Sequence, residues 1–187
     1  MKIDGNAVRI GMLLEHKSRL WSVVKAQHVK PGKGGAYMQV ELKDIKSGSK
    51  LNERFRAGES VERIHLDENE FQFLYKDGVN FIFMNNGNFE QISLSEDQVG
   101  PSAAYLKENM NVLISFYEGE VISVALPDTV VMEVVETEPV VKGQTAASSY
   151  KPAVLDNGVR IMVPPHIEIG TKVVVNTNDD SYVERAK

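Results

Sequence analysis

Lys30-Pro31-Gly32-Lys33-Gly34-Gly35 interrupts two runs of strand-forming residues, Leu20-Trp21-Ser22-Val23-Val24-Lys25-Ala26-Gln27-His28-Val29 and Ala36-Tyr37-Met38-Gln39-Val40-Glu41-Leu42. Both flanks alternate with a period of two. Trp21, Val23 and Lys25 are expected on one face, Ser22, Val24 and Ala26 on the other. A six-residue connection holding three glycines and a proline is a hairpin loop rather than a core element. Pro31 stiffens its entry by fixing φ. Gly32, Gly34 and Gly35 leave a bare backbone that can approach another surface closely, so Lys33 is a cation presented on a thin arm. Spacing alone leaves two readings open: a mobile tip whose lysines serve solubility, and a point charge aimed at a polyanion. A phosphate-cradling P-loop is excluded. It needs Ser or Thr and a helix after Gly-Lys, whereas Gly34-Gly35 runs into a strand.

Working outward, the 187 residues bound the chain to between one and three domains. It has no cysteine, which excludes disulfides, thiolate metal sites and a thiol nucleophile. No apolar run approaches the roughly 18 residues of a membrane span. The first residues, Met1-Lys2-Ile3-Asp4-Gly5-Asn6, lack a signal peptide's apolar core. The expectation is a cytoplasmic protein with no membrane partner. Net charge is −5, but unevenly spread. Lys and Arg number 13 against 7 acids over residues 1–64, 2 against 10 over 65–126, and 6 against 9 over 127–187. Only the basic first third is suited to meeting a polyanion closely.

That first third is a compact all-β unit on pattern: a short strand at Met12-Leu13-Leu14-Glu15, the two long strands, and an alternating strand Lys50-Leu51-Asn52-Glu53-Arg54-Phe55-Arg56. Arg54 and Arg56 share one face of the last strand. Ala57-Gly58-Glu59-Ser60 is small and polar, as expected of a boundary. Strands follow at residues 69–75, 79–84 and 89–94, then a helix at Ser102-Ala103-Ala104-Tyr105-Leu106-Lys107-Glu108-Asn109. This order fits an OB-fold barrel. Phe71, Phe73, Phe81, Phe83 and Phe89 could stack nucleobases, but alternating positions in an acidic segment favour core packing. After Leu126-Pro127-Asp128, strands are expected at 129–135, 151–155, 159–163, 171–175 and 181–185, forming a second OB-like unit. Each unit is small enough to be marginal alone, so the two should pack together. His16, His28, His65 and His166 show no ligand spacing, and no catalytic constellation is present. The expectation is a protein that is not an enzyme, with no metal and no cofactor.

The arm Lys30-Pro31-Gly32-Lys33-Gly34 resembles that of the bacterial translation elongation factor P family. The resemblance extends through Phe83-Met84-Asn85-Asn86 and Gly143-Gln144-Thr145-Ala146. It continues in the run Lys151, Ala153, Gly158, Ile161, Val163-Pro164, Ile167 and Gly170, and ends in Tyr182-Val183-x-Arg185. It implies a Tudor/KOW (SH3-like) barrel over residues 1–64 and OB folds over 65–126 and 127–187, together an L-shaped mimic of transfer RNA. It further implies a monomer that binds the ribosome between the peptidyl and exit sites and relieves stalling at consecutive prolines. Lys33 would reach the acceptor end of peptidyl-tRNA and would be the target of a lysine-modifying enzyme. Gly35 stands where some relatives have glutamine. The loop Gly143-Gln144-Thr145-Ala146 would meet messenger RNA in the exit site, with Gln144 replacing an acid yet keeping hydrogen-bonding capacity. Tyr182 and Arg185 would face the transfer RNA stem and the small subunit. The competing readings are an OB module for single-stranded RNA and the elongation-factor-P-like paralogue, whose arm carries arginine in place of Lys33.

Overall fold

The computed structural model describes residues 1–141, 143 and 149–187. It falls into two compact units, Met1–Asp67 with Phe116–Ile122, and Glu68–Ser115 with Ser123–Lys187.

The first unit is built on one six-stranded sheet. Its strands are β1 (Lys2–Asp4), β2 (Leu13–His16), β3 (Arg19–Val29), β4 (Tyr37–Asp44), β5 (Lys50–Arg56) and β6 (Ser60–Ile64), in the spatial order β1-β6-β2-β3-β4-β5. All the pairings are antiparallel. Val8, Leu14, Trp21, Val23, Met38, Val40, Leu42, Phe55 and Val61 form its core. The alternation expected of β3 holds only as far as Val23. A bulge between Val23 and Lys25 takes up one residue. Lys25 therefore turns outward beside Glu41, while Ala26 packs against the core. The boundary expected at Ala57-Gly58-Glu59-Ser60 is instead a turn inside this sheet, from which β6 returns to pair with β1 and β2. Its small polar residues make a tight turn, in which the Glu59 N–H donates to the Arg56 carbonyl at 3.0 Å.

A short 3-10 turn, Gly5–Ala7, lays the chain across β5. A Cβ on Gly5 would lie 2.3 Å from the Arg56 carbonyl oxygen and 2.9 Å from the Phe55 Cβ. Both neighbours belong to a paired strand and cannot withdraw cheaply.

The next sheet comprises β7 (Asp67–Asp77), β8 (Asn80–Asn85), β9 (Gln91–Ser95), β10 (Asn111–Tyr117) and β11 (Glu120–Ala125), ordered β11-β10-β7-β8-β9; it belongs to the second unit apart from Asp67 and Phe116–Ile122. The helix expected at 102–109 is displaced. A single α-turn, α1 (Glu96–Val99), is followed by a 3-10 turn at Pro101–Tyr105. Ser95 and Gln98 form a reciprocal capping box that starts α1, and Gly100 with φ 86° ends it. Beyond Tyr105 the chain is drawn back to the sheet, where the Asn109 N–H donates to the Phe73 carbonyl at 2.8 Å. Phe71, Phe73, Phe81 and Phe83 are buried as expected. Phe89 is not. It is 70% exposed, with φ at 60°.

The last five strands are β12 (Thr129–Thr137), β13 (Lys151–Leu155), β14 (Arg160–Val163), β15 (Lys172–Asn176) and β16 (Ser181–Arg185), ordered β14-β13-β12-β15-β16. Their core of Val130, Met132, Val134, Leu155, Val163, Val173 and Val175 also takes in Tyr105, with Met110 and Leu126 packed against it. The Tyr105 hydroxyl donates to Asp180 Oδ1 at 2.6 Å, Asn157 Nδ2 to the Ala104 carbonyl at 3.0 Å, and Lys107 Nζ to the Val131 carbonyl at 2.6 Å. The two five-stranded portions thus share a core side chain, as the packing argument expects.

Two outcomes follow from this packing. Gly5→Ala should destabilise the protein by about 1–3 kcal/mol in urea melts, because its Cβ has no room. Burial first, and then the bond to Asp180, hold the Tyr105 phenol above its usual value of 10. Its folded pKa is raised, so its contribution is complete below pH 10 and declines as pH rises from there. Wild type should lose stability as pH rises above about 10, the free tyrosine value, and Tyr105→Phe should lose less over the same range.

Candidate functional site: the lysine arm and its base

The ladder between β3 and β4 ends at Val29 opposite Tyr37, and the arm leaves from that last pair. β4 begins at Tyr37, one residue later than the alternation suggests, so the connection runs over residues 30–36. Lys30, Pro31, Gly32, Lys33, Gly34 and Gly35 are all exposed. Among the described residues, none hydrogen-bonds to residues 30–35. Gly34 adopts φ 104°, which a side chain would resist. Gly32 and Gly35 differ: a Cβ on either would meet nothing within 4 Å. Nothing inside the fold requires glycine at these two positions. A bare backbone there matters only for chain freedom or for an external surface.

Several cations of the first unit are matched. Lys25 and Lys50 meet Glu41 at 3.1 and 3.0 Å, Lys17 meets Glu53 at 2.6 Å, Arg19 meets Asp44 at 3.4 Å and Lys46 meets Glu120 at 3.4 Å. Hydrogen bonds from Lys50, and then from Lys25, hold the Glu41 carboxyl below its usual value. Backbone N–H donation from Ser47 does the same for Asp44, against the opposing effect of burial. At the arm end, Lys30, Lys33, Arg54 and Arg56 have no carboxylate within ion-pair distance among the described residues. Among the described residues, four cations therefore stand without a carboxylate partner where the arm emerges, as do Lys2, Arg9, Lys43 and Arg63 elsewhere in the first third.

The other expected positions are dispersed. Gly143 lies in a turn with φ 92°, while Gln144, Thr145 and Ala146 fall outside the described residues. Tyr182 is half-buried against the last core, its ring edge-on to Tyr150 with centroids 6.4 Å apart. Burial foremost raises its phenol pKa. Arg185 stands exposed on β16, opposite Val173. His16 is not isolated: its Nε2 lies 2.7 Å from Glu53, and its ring meets Phe55 edge-on. No group of three or more metal-ligating side chains occurs among the described residues. What sequence reasoning missed at the arm is the pairing of Arg54 with Tyr37, whose ring centroid lies 5.2 Å from the guanidinium carbon. Once Gln39 is placed opposite Arg54, and Arg56 opposite Tyr37, that contact becomes a diagonal cross-strand pair.

Comparison with known proteins covers nearly the whole chain. A family model described as the elongation factor P KOW-like domain matches residues 4–61, the elongation factor P OB domain matches 66–124, and elongation factor P, C-terminal, matches 130–185. Elongation factor P of Parvibaculum lavamentivorans is 54% identical over 186 residues, with full coverage of both chains. That of Brucella abortus is 55% identical with the same coverage. Two solved structures share the fold. An initiation factor 5A from Methanococcus jannaschii superposes with a TM-score of 0.53 at 20% identity, over 66% of this chain and 95% of its own. An initiation factor 5A family protein from Naegleria fowleri does so with 0.55 at 16%, over 67% and 98%. The all-β architecture is thus a KOW-like N-terminal domain, an OB domain and a C-terminal domain.

Proposed function

The chain belongs to the elongation factor P family of translation elongation factors, and on that premise we propose that it binds the ribosome between the peptidyl and exit sites and stimulates peptide bond formation at consecutive prolines. In this reading its domains span residues 1–64, 65–126 and 127–187, in keeping with the extents of the matched family models. The observation that carries the proposal is the arm: an unpaired Lys33, exposed, on a backbone that no other described residue restrains.

Proline is a poor nucleophile in this setting, and a peptidyl-proline chain can take up unproductive geometries. A factor that holds the acceptor end of peptidyl-tRNA lowers the orientational cost of reaction without itself forming or breaking a bond. Lys33 supplies charge to phosphate and sugar at that end, and Lys30 reinforces it. A lysine-modifying enzyme lengthens Lys33 and so extends the reach of its cation. The Gly143-Gln144-Thr145-Ala146 loop meets messenger RNA in the exit site. Tyr182 and Arg185 face the transfer RNA stem and the small subunit. The factor works as a monomer in the cytoplasm. A single-strand-binding OB module is disfavoured, because Phe71, Phe73, Phe81 and Phe83 are buried and offer no stacking surface.

Lys33→Ala should fold with an unchanged melting profile and slow translation of a proline-run message on the order of tenfold. Full rescue by this variant would contradict the arm mechanism. Tandem mass spectrometry of the arm peptide, from protein purified out of its native cells, should find an added mass on Lys33.

A further inference from the structure

Within the second unit, residues of the β7–β8 hairpin and of the turns after β9 line an open hollow of about 400 Å³, the size of a small-molecule site. The arm and the proposed ribosomal contacts leave it unused. Pro101, Ala103 and Leu106 give it apolar walls, and the ring of Phe81 lies beneath. Its charged lining residues are Lys76, Glu96 and Glu108. All three are exposed, and none has an ion-pair partner among the described residues. The Lys76 ammonium rests 5.0 Å from the centroid of the Phe81 ring. Phe81 is buried, and this lysine is part of its cover. The pairing has a local cause. A bulge between Phe73 and Tyr75 shifts β7 by one residue, so that Lys76, rather than Tyr75, stands directly opposite Phe81.

We infer that this hollow binds a small apolar amine, whose ammonium takes the place over Phe81 that Lys76 now fills. Three features select that class. The ring already holds a cation, and an aromatic face attracts an ammonium placed over it. The lysine that holds the place is easily displaced: no carboxylate fixes it among the described residues, and its flexible stem can carry the charge into water, where an ammonium is strongly hydrated. Once Lys76 swings out, the rim keeps the carboxylates of Glu96 and Glu108 and no cation. That favours a positive ligand and repels a negative one. The walls of Pro101, Ala103 and Leu106 then take the hydrocarbon body of the ligand, which a hydrated inorganic cation lacks. Lys76 thus acts as an internal competitor, and an incoming amine binds by replacing it. The site goes beyond the ribosomal role and does not depend on it.

The test is a titration of the full-length, isotopically labelled protein with phenethylamine at neutral pH, where the amine is protonated, followed in proton–nitrogen correlation spectra. Saturable shifts should appear at the backbone amides of Phe81, Ala103 and Leu106, with a dissociation constant of about 1 mM. Hydrocinnamate, of similar size and opposite charge, should leave those amides unmoved. Lys76→Ala removes the competing ammonium and should tighten phenethylamine binding about threefold. The double variant Glu96→Gln/Glu108→Gln should weaken it about fivefold. All three side chains are exposed, and unchanged melting profiles show that the fold survives. The lysine variant is the decisive one, because a substitution that merely disturbed the hollow would weaken binding rather than tighten it. Absence of saturable shifts with phenethylamine, equal shifts with hydrocinnamate, or an affinity that Lys76→Ala leaves unchanged or lowers would overturn the site.

Discussion

The antiparallel ladder of β3 on β4 is the constraint on which the working end depends. It runs from Trp21 opposite Asp44 to Val29 opposite Tyr37, and a bulge between Val23 and Lys25 changes its phase midway. Before the bulge, Trp21 and Val23 feed the core. After it, Lys25 and Gln27 face outward beside Glu41 and Gln39. That half-turn of phase keeps the outer face polar up to the point where the arm departs. On its other edge β4 pairs with β5, which sets Tyr37 opposite Arg56 and Gln39 opposite Arg54. Moving the pairing by one residue would exchange the two faces, burying charge and placing Met38 and Val40 in solvent. The core and the cationic face therefore depend on one register.

Electrostatics then distributes the positive charge. Carboxylates pair with Lys17, Arg19, Lys25, Lys46 and Lys50, whereas Lys30, Lys33, Arg54 and Arg56 at the arm end have no such partner among the described residues. Exposed pairs of this kind contribute little to stability. The four unmatched cations at the arm end belong to a chain whose net charge is −5.

Much of this was legible in the residues, and the exceptions have physical causes. Period-two alternation and Gly/Pro punctuation located the long hairpin and most strands. The Lys33 arm could be read from its glycines, its proline and the family resemblance. The β3 bulge could not, since a bulge alters register without altering composition. Ser102 to Asn109 looked helical, yet only Pro101–Tyr105 winds, as a 3-10 turn, and its Tyr105 joins a core made by distant strands. The capping box at Ser95 and Gln98 was the local signal that would have placed the helical turn earlier. Phe89 looked like a core aromatic by spacing. Its loop instead holds it in left-handed backbone, with the Phe89 N–H donating to the Asn85 carbonyl at 2.9 Å. The Arg54–Tyr37 contact needed cross-strand register, which no linear pattern provides.

The central claim is that residue 33 touches the acceptor end of peptidyl-tRNA. Its most direct test is a photoreactive group at position 33, on factor bound to ribosomes stalled at consecutive prolines, with crosslinked nucleotides identified by primer extension and sequencing. The account predicts crosslinks to the 3′-terminal nucleotides of the peptidyl-tRNA. Crosslinks found only in ribosomal RNA or protein distant from the catalytic centre would contradict it.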